Sequence, residues 1–130
     1  MTNIDRLRKY ADSVREENDF TKREIIARVA GVSFEGRQDL LKKLKKTTPI
    51  KVLRDRKNKH DFYAVKVMAK LKGKWEHIGF LPRKMAFSVS KNMDKGVSYT
   101  AKVHRISGGG TSEYTGEELF FGLDIKILSE

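Results

Sequence analysis

The chain lacks cysteine, and among its 130 residues it has only two prolines. Without cysteine it forms no disulfides and no cysteine-based zinc site, so a reducing cytoplasm is the simplest expected location. No stretch approaches the roughly 18 apolar residues that a membrane-spanning helix needs, and we predict no contact with a membrane. No apolar run follows the first residues, so we expect no secretory signal. A chain of this length forms one domain with a single core.

The sequence also lacks groups that converge for catalysis. His60, His77 and His104 are far apart and do not show the His-x-x-x-His spacing of a metal site. Adjacent glutamates at 16–17 and 117–118 point apart on a helix or strand, so neither pair forms an acid–base dyad. There is no Gly-x-Ser-x-Gly nucleophile motif. We therefore predict no catalytic residues, no metal and no cofactor.

Positive charge is what the chain has in excess, with 28 Lys and Arg against 17 Asp and Glu, for a net charge of +11. The charge is segregated along the sequence. Residues 37–59 contain ten basic and two acidic residues, whereas residues 108–130 contain one basic and five acidic residues. Charge concentrated in this way predicts a polyanionic partner, and nucleic acid is the commonest one.

The first residues differ in pattern from the rest. Apolar residues recur at three- and four-residue spacing over residues 3–17, which predicts an amphipathic helix. This segment is electrically neutral and has a narrow apolar stripe, so we expect it to pack on the domain or on a second copy of itself. The predicted oligomeric state is accordingly a monomer or a weak dimer. We divide the chain into an N-terminal helix and lead-in, residues 1–24, and one domain, residues 25–130.

The remaining pattern is mainly that of short strands. Lys72-Gly73 is a hairpin turn signal between two of them, and Pro82 suits the first position of a helix. Several short strands with two intervening helices predict a mainly β fold with some α, a small closed or nearly closed barrel. The predicted strands are 24–34, one beginning at Pro49, 63–71, 75–81, 97–106 and 120–128, and the predicted helices are 37–46 and 82–93.

The aromatic residues fall into two groups. Trp75, Phe80, Phe87, Phe120 and Phe121 fall on apolar faces, and we predict that they are mostly in the core. A second group lies at strand ends beside charged turns, where a ring can stack on an unpaired base. This group contains Phe34, His60, Phe62 and Tyr63, and rim packing of the barrel is an equal alternative for Phe62 and Tyr63.

Six segments of the chain, taken in order, form a recognisable pattern: Val29-Ala30-Gly31-Val32-Ser33-Phe34-Glu35-Gly36-Arg37, Val52-Leu53-Arg54-Asp55, Asn58-Lys59-His60-Asp61, Ala64-Val65-Lys66-Val67, Ile78-Gly79-Phe80-Leu81-Pro82-Arg83 and residues 103–109. Together they resemble the HIRAN domain family. The resemblance covers about residues 25–128 and implies an OB-like small β-barrel flanked by short helices. In its best understood members this module binds single-stranded DNA and captures the free 3′-hydroxyl end.

The resemblance also implies roles for individual residues. Asp61 corresponds to a polar turn residue that accepts a hydrogen bond from the terminal 3′-hydroxyl group, with Asn58 supporting it. Phe34 and His60 correspond to base-stacking positions. Lys59 and Tyr63 differ from the family, which usually has Pro and Asn there. The basic residues that we predict to hold phosphates are Arg54, Arg56, Lys57 and Arg83.

The sequence therefore predicts a non-enzymatic module that binds single-stranded DNA and prefers free 3′-hydroxyl ends. The resemblance alone suggests a role in DNA repair or replication-fork processing, with a separately encoded helicase or nuclease as a candidate partner. Two alternatives remain open. One is a general binder of RNA or DNA without end specificity. The other is a protein-interaction module that uses the helix of residues 3–17 and an exposed barrel edge.

Overall fold

The computed structural model describes residues 24–34 and 36–129. The predicted helix of residues 3–17 lies outside this part of the chain. The described residues form six strands and two helices, and neither helix is long and apolar enough to cross a membrane. In chain order the elements are β1 Glu24–Arg28, α1 Arg37–Leu41, β2 Pro49–Arg54, β3 Val65–Leu71, β4 Lys74–Phe80, α2 Arg83–Asp94, β5 Tyr99–Gly108 and β6 Phe121–Ser129.

The six strands form one antiparallel sheet in the order β1-β6-β5-β2-β3-β4. Ala30, just beyond β1, closes this sheet by pairing with Phe80 at the end of β4. The Ala30 N–H donates to the Phe80 carbonyl oxygen at 2.7 Å, and the Phe80 N–H donates back to the Ala30 carbonyl oxygen at 2.9 Å. The two ends of the sheet are thus joined, and the predicted mainly β, barrel-like fold is confirmed.

The core is formed by the buried side chains that alternate with more exposed ones along the strands. On β3 the side chains of Val65, Val67 and Ala69 are fully buried, while the intervening Lys66 and Met68 lie on the other face, as the two-residue period of a strand requires. Helix α2 contributes a stripe of apolar residues from one of its sides. The buried residues form one cluster, which includes Ala27, Leu41, Ile50, Ile78, Ala86, Val89, Leu123, Ile125 and Ile127.

The hairpin signal at Lys72-Gly73 corresponds to the structure, whereas the predicted bounds of the two helices differ from it. Lys72 and Gly73 have positive φ angles of 50° and 78°, as the type I′ turn of a two-residue hairpin requires. Pro82 immediately precedes α2 and is not its first residue. Helix α1 ends at Leu41, five residues earlier than predicted. Four of the five residues at 42–46 are lysines, and like charges three or four residues apart destabilise a helix.

Barrel closure depends on the absence of a side chain at position 79. A Cβ atom at Gly79 would lie 2.5 Å from Val29 Cγ1 and 2.6 Å from the Ala30 carbonyl oxygen. Both distances are shorter than a Cβ atom tolerates. The glycine therefore lets the chain after β1 approach β4 and form the Ala30–Phe80 pair. This pair in turn places Phe80 at the edge of a groove.

Candidate nucleic-acid interface

The groove has a volume of about 310 Å³ and lies where the loop between β2 and β3 meets the end of β4 and the start of α2. Four of the predicted site residues line it together: Asn58, His60, Asp61 and Arg83. The sequence separates Arg83 from the other three by more than twenty residues, and the barrel brings it beside them. The other lining residues are largely apolar: Ala30, Ala64, Phe80 and Leu81.

Asn58 shapes the loop that carries the polar residues of the groove. Its side-chain Oδ1 accepts hydrogen bonds from the N–H groups of His60, at 2.9 Å, and Asp61, at 3.0 Å. Its Nδ2 donates to Asp55 Oδ2 at 3.2 Å. An Asn side chain that accepts from the backbone two and three residues ahead stabilises a turn. Asn58 thus shapes the loop that carries Asp61, and its part in recognising a 3′-hydroxyl group stays a prediction.

The two carboxylate oxygens of Asp61 have different partners. Oδ1 accepts from the Tyr63 N–H at 2.9 Å, and Oδ2 lies 3.6 Å from Arg83 Nε, with 21% of the Asp61 side chain exposed. Arg83 Nη2 donates to the His60 carbonyl oxygen at 3.0 Å, and its side chain is 77% exposed. The groove therefore presents a carboxylate oxygen and a guanidinium group side by side.

Phe34 lies close to the groove without lining it. The ring is 65% exposed. A Cβ atom built on Gly31 would lie 3.7 Å from Phe80 Cδ2 and 3.9 Å from Phe34 Cδ2, so the two rings flank the same glycine. Arg37 stands over the Phe80 ring, with its Cζ atom 5.4 Å from the centroid. Phe34 is thus an exposed ring beside the groove, and its role in base stacking stays a prediction.

The predicted phosphate contacts on the loop are placed differently from Arg83. The side chain of Arg54 is 10% exposed. Its Nε and Nη2 donate to the two carboxylate oxygens of Asp94 at 3.2 and 3.1 Å, and its Nη1 donates to the Phe62 carbonyl oxygen at 2.6 Å. Arg56 Nη2 donates to Asp94 Oδ1 at 2.6 Å. Hydrogen bonds from Arg54, reinforced by the charges of both arginines, lower the pKa of Asp94.

Arg54 therefore has a structural role that the sequence did not reveal, because it ties the loop to the end of α2. Its guanidinium also lies over the Phe62 ring, with Cζ 5.1 Å from the centroid. Arg56 makes the same ion pair from a side chain that is 57% exposed. Lys57 is exposed. Phosphate contacts by these three residues stay predictions.

We expect Arg54→Met and Arg83→Gln to have opposite signatures. Arg54→Met should lower the melting temperature by roughly 10 °C, because it removes three hydrogen bonds to a nearly buried guanidinium. Arg83→Gln should leave the melting temperature nearly unchanged and reduce the slope of log K against log salt by about 0.7, the value for one phosphate contact on a single strand. Thermal unfolding and DNA titrations at several salt concentrations measure the two effects. Equal losses of binding and stability in both variants would contradict this division of roles.

His77 gives the fold a predicted dependence on pH. Burial, followed by the nearby charge of Arg37, lowers the pKa of His77 below its ordinary value of 6.5. The unfolded chain therefore binds the proton more readily, and the free energy of unfolding should fall as pH drops below 6.5 toward the lowered pKa. Urea unfolding between about pH 7 and about pH 5 measures this slope. His77→Gln keeps a donor for the Gly79 carbonyl oxygen and should flatten the slope; an unchanged slope would rule out His77 as its source.

The described residues contain no group of three or more His, Cys, Asp or Glu side chains that could hold a metal ion. They form a small closed barrel with a groove that combines polar, charged and apolar side chains and lies beside the exposed ring of Phe34. The chain belongs to the HIRAN domain family, whose model matches residues 22–124. The HIRAN domain is known as a DNA-binding module, so membership supports a DNA-binding role.

Two solved structures are similar to this chain. The HIRAN domain of human HLTF has 16% sequence identity and a TM-score of 0.53, over 83% of this chain and 75% of that one. A protein from Lactobacillus plantarum has 14% identity and the same TM-score of 0.53, over 82% of this chain and 98% of that one. At these identities the likeness concerns the fold. Among curated protein sequences none matches the chain at a significant level.

Proposed function

We propose that this protein binds single-stranded DNA and recognises its free 3′-hydroxyl end at Asp61. The observation that carries the proposal is the pair formed by Asp61 and Arg83, which line the same groove of about 310 Å³ with Oδ2 of Asp61 3.6 Å from Arg83 Nε. A carboxylate accepts a hydrogen bond from a hydroxyl group but repels a phosphate. Arg83 beside it is suited to the last internucleotide phosphate. Together the two groups distinguish the end of a strand from its interior.

The apolar floor and the exposed rings support the same proposal. Phe80 and Leu81 offer a surface for the terminal nucleoside, and Phe34 and the His60 ring supply faces on which bases stack at about 1–3 kcal/mol each. The net charge of +11 draws the strand toward the domain. The finer proposals are that the protein acts in the cytoplasm, in DNA repair or replication-fork processing, alongside a separately encoded helicase or nuclease.

A competition between linear and circular single-stranded DNA of the same sequence tests whether an end is needed. The linear strand should displace a labelled 3′-hydroxyl oligonucleotide at least tenfold more effectively, because only it can donate the terminal hydrogen bond, worth about 1.5–3 kcal/mol to a charged acceptor. Equal competition by the circle would contradict end recognition and leave a general nucleic-acid binder. An RNA strand with a 3′-hydroxyl group, used as a third competitor, measures the preference for DNA.

A further inference from the structure

A row of rings leads away from the groove along β4. Directly opposed residues of an antiparallel pair share a face of the sheet. Three rings of β4 each oppose one residue of β3: Trp75 opposes Lys70, His77 opposes Met68 and Phe80 opposes Lys66. These three residues of β3 alternate with its fully buried side chains. The three rings of β4 therefore lie on the outer face of the sheet. The His77 and Phe80 rings meet edge to face with centroids 4.7 Å apart. Since Phe80 lines the groove, the row begins there and ends at Trp75.

Lysines accompany this row. Lys51 of β2 pairs with Met68, and its Nζ atom lies 4.2 Å from the centroid of the Trp75 ring. The Nζ atom of Lys70 lies 5.9 Å from the same centroid. Within residues 24–34 and 36–129, no carboxylate forms an ion pair with Lys51, Lys66 or Lys70. Among the described residues, the positive charge on this side of the barrel is therefore not paired with a carboxylate.

We propose that this surface is a second binding site for single-stranded DNA, continuous with the groove. We call it the Trp75 face; it consists of Trp75, His77 and Phe80 with Lys51, Lys66 and Lys70. The bases stack along the row of rings, and the lysines contact the phosphates. The site itself stands apart from the proposed 3′-end function, but its polarity, with the 3′ end at Asp61 and the strand running 5′-ward to Trp75, rests on that function.

Charge and dimensions identify the occupant. The six residues of the Trp75 face include three lysines and no carboxylate, so it favours the interior of a strand, where every nucleotide carries a phosphate. From Phe80 to Trp75, β4 spans about 17 Å at about 3.3 Å per residue. This distance corresponds to about five stacked nucleotides at the 3.4 Å rise of one strand. A dinucleotide held at Asp61 therefore does not reach Trp75, whereas about ten nucleotides pass it.

The fluorescence of Trp75 reports occupancy directly, because it is the single tryptophan of the chain. The parent protein is titrated with a 3′-hydroxyl dinucleotide and with a 3′-hydroxyl oligomer of about ten nucleotides, a length within the usual range for an OB fold. We expect saturable quenching by the longer strand and none by the dinucleotide. The absence of quenching at concentrations of the longer strand that saturate anisotropy would overturn the proposal.

Variants separate stacking from general effects on the fold. Trp75→Ala should weaken binding of the longer strand by about tenfold, a typical stacking loss, and leave dinucleotide binding unchanged, while Trp75→Phe should restore most of it. Tyr114→Ala is the matched control, because Tyr114 is a 97% exposed aromatic residue in the loop between β5 and β6. Equal losses in Trp75→Ala and Tyr114→Ala would overturn the proposal.

The same titrations, repeated with a longer strand that carries a 3′-phosphate group, distinguish this site from the 3′-end site. A parent protein that prefers a 3′-hydroxyl over a 3′-phosphate end, but whose Trp75 fluorescence does not respond, has the groove without the Trp75 face. Equal quenching by the 3′-hydroxyl strand and the 3′-phosphate strand, with no difference in their affinities, supports the Trp75 face and contradicts the proposed recognition at Asp61.

Discussion

Asp61→Asn should remove the preference for a free 3′-hydroxyl end while preserving most of the affinity for single-stranded DNA. The introduced amide is isosteric and can still accept the Tyr63 N–H at its oxygen, which keeps the turn observed at 2.9 Å. It replaces the carboxylate oxygen beside Arg83 with a donor and removes the negative charge that repels a terminal phosphate. A charged hydrogen bond contributes about 1.5–3 kcal/mol, so the hydroxyl-to-phosphate affinity ratio should fall by at least about tenfold.

Asp39→Asn is the matched control for the change in charge. Asp39 lies in α1, 80% of its side chain is exposed, and its nearest cation is Lys42 at 3.9 Å. It should leave the hydroxyl-to-phosphate ratio unaltered, although it raises the net charge by the same amount. Fluorescence anisotropy of both variants with both ends, at one salt concentration, measures the ratio. A preserved preference in Asp61→Asn would remove Asp61 from the recognition of the end.

Gly79→Ala should lower the free energy of unfolding by about 3 kcal/mol, at the upper end of the usual cost of overpacking. The added methyl group would lie 2.6 Å from the Ala30 carbonyl oxygen, which is backbone and cannot turn away as a side chain can. Relief requires the Ala30–Phe80 pair to separate, and this pair closes the barrel. Because Ala30 and Phe80 also line the groove, the variant should lose end recognition together with stability.

Gly122→Ala provides the comparison for this loss. Gly122 also lies in a strand and has no positive φ, but a Cβ atom there would meet the guanidinium of Arg28, the far end of an exposed and flexible side chain. Its cost should be about 1 kcal/mol, from the displaced Arg28–Asp124 ion pair. Urea unfolding of the two variants measures the difference. Equal destabilisation would contradict the view that closure at Ala30 limits the size of residue 79.

The fold was largely predictable because its signals are local. The two-residue period of β3 and the Lys72-Gly73 turn each depend on neighbouring residues. The burial of the aromatic residues depends on distant parts of the chain and was predicted poorly. Phe120 is 71% exposed, Phe87 44% and Trp75 38%, where we predicted core positions. A register shift interrupts the alternation of inner and outer residues along a strand, and β4 contains such a shift. The sequence pattern then does not distinguish a large ring on the outer face from one on the inner face.

The candidate site was predictable only in part, because some of its contacts join distant parts of the chain. Asn58, His60 and Asp61 belong to one loop, and their proximity follows from the turn that Asn58 forms. The addition of Arg83 followed from the family resemblance and not from spacing. Arg54 was predicted only as a basic loop residue, whereas its partner Asp94 is forty residues away. No local pattern indicates such a pair, because the barrel alone brings the end of β2 to the end of α2.

The most direct measurement of the central proposal is fluorescence anisotropy of the parent protein with one single-stranded DNA that carries either a 3′-hydroxyl or a 3′-phosphate group, at fixed salt. If Asp61 receives the end of the strand, the hydroxyl form should bind at least about tenfold more tightly, the equivalent of one charged hydrogen bond. Equal affinity for the two forms, with a salt dependence that is also equal, would contradict recognition of the 3′ end.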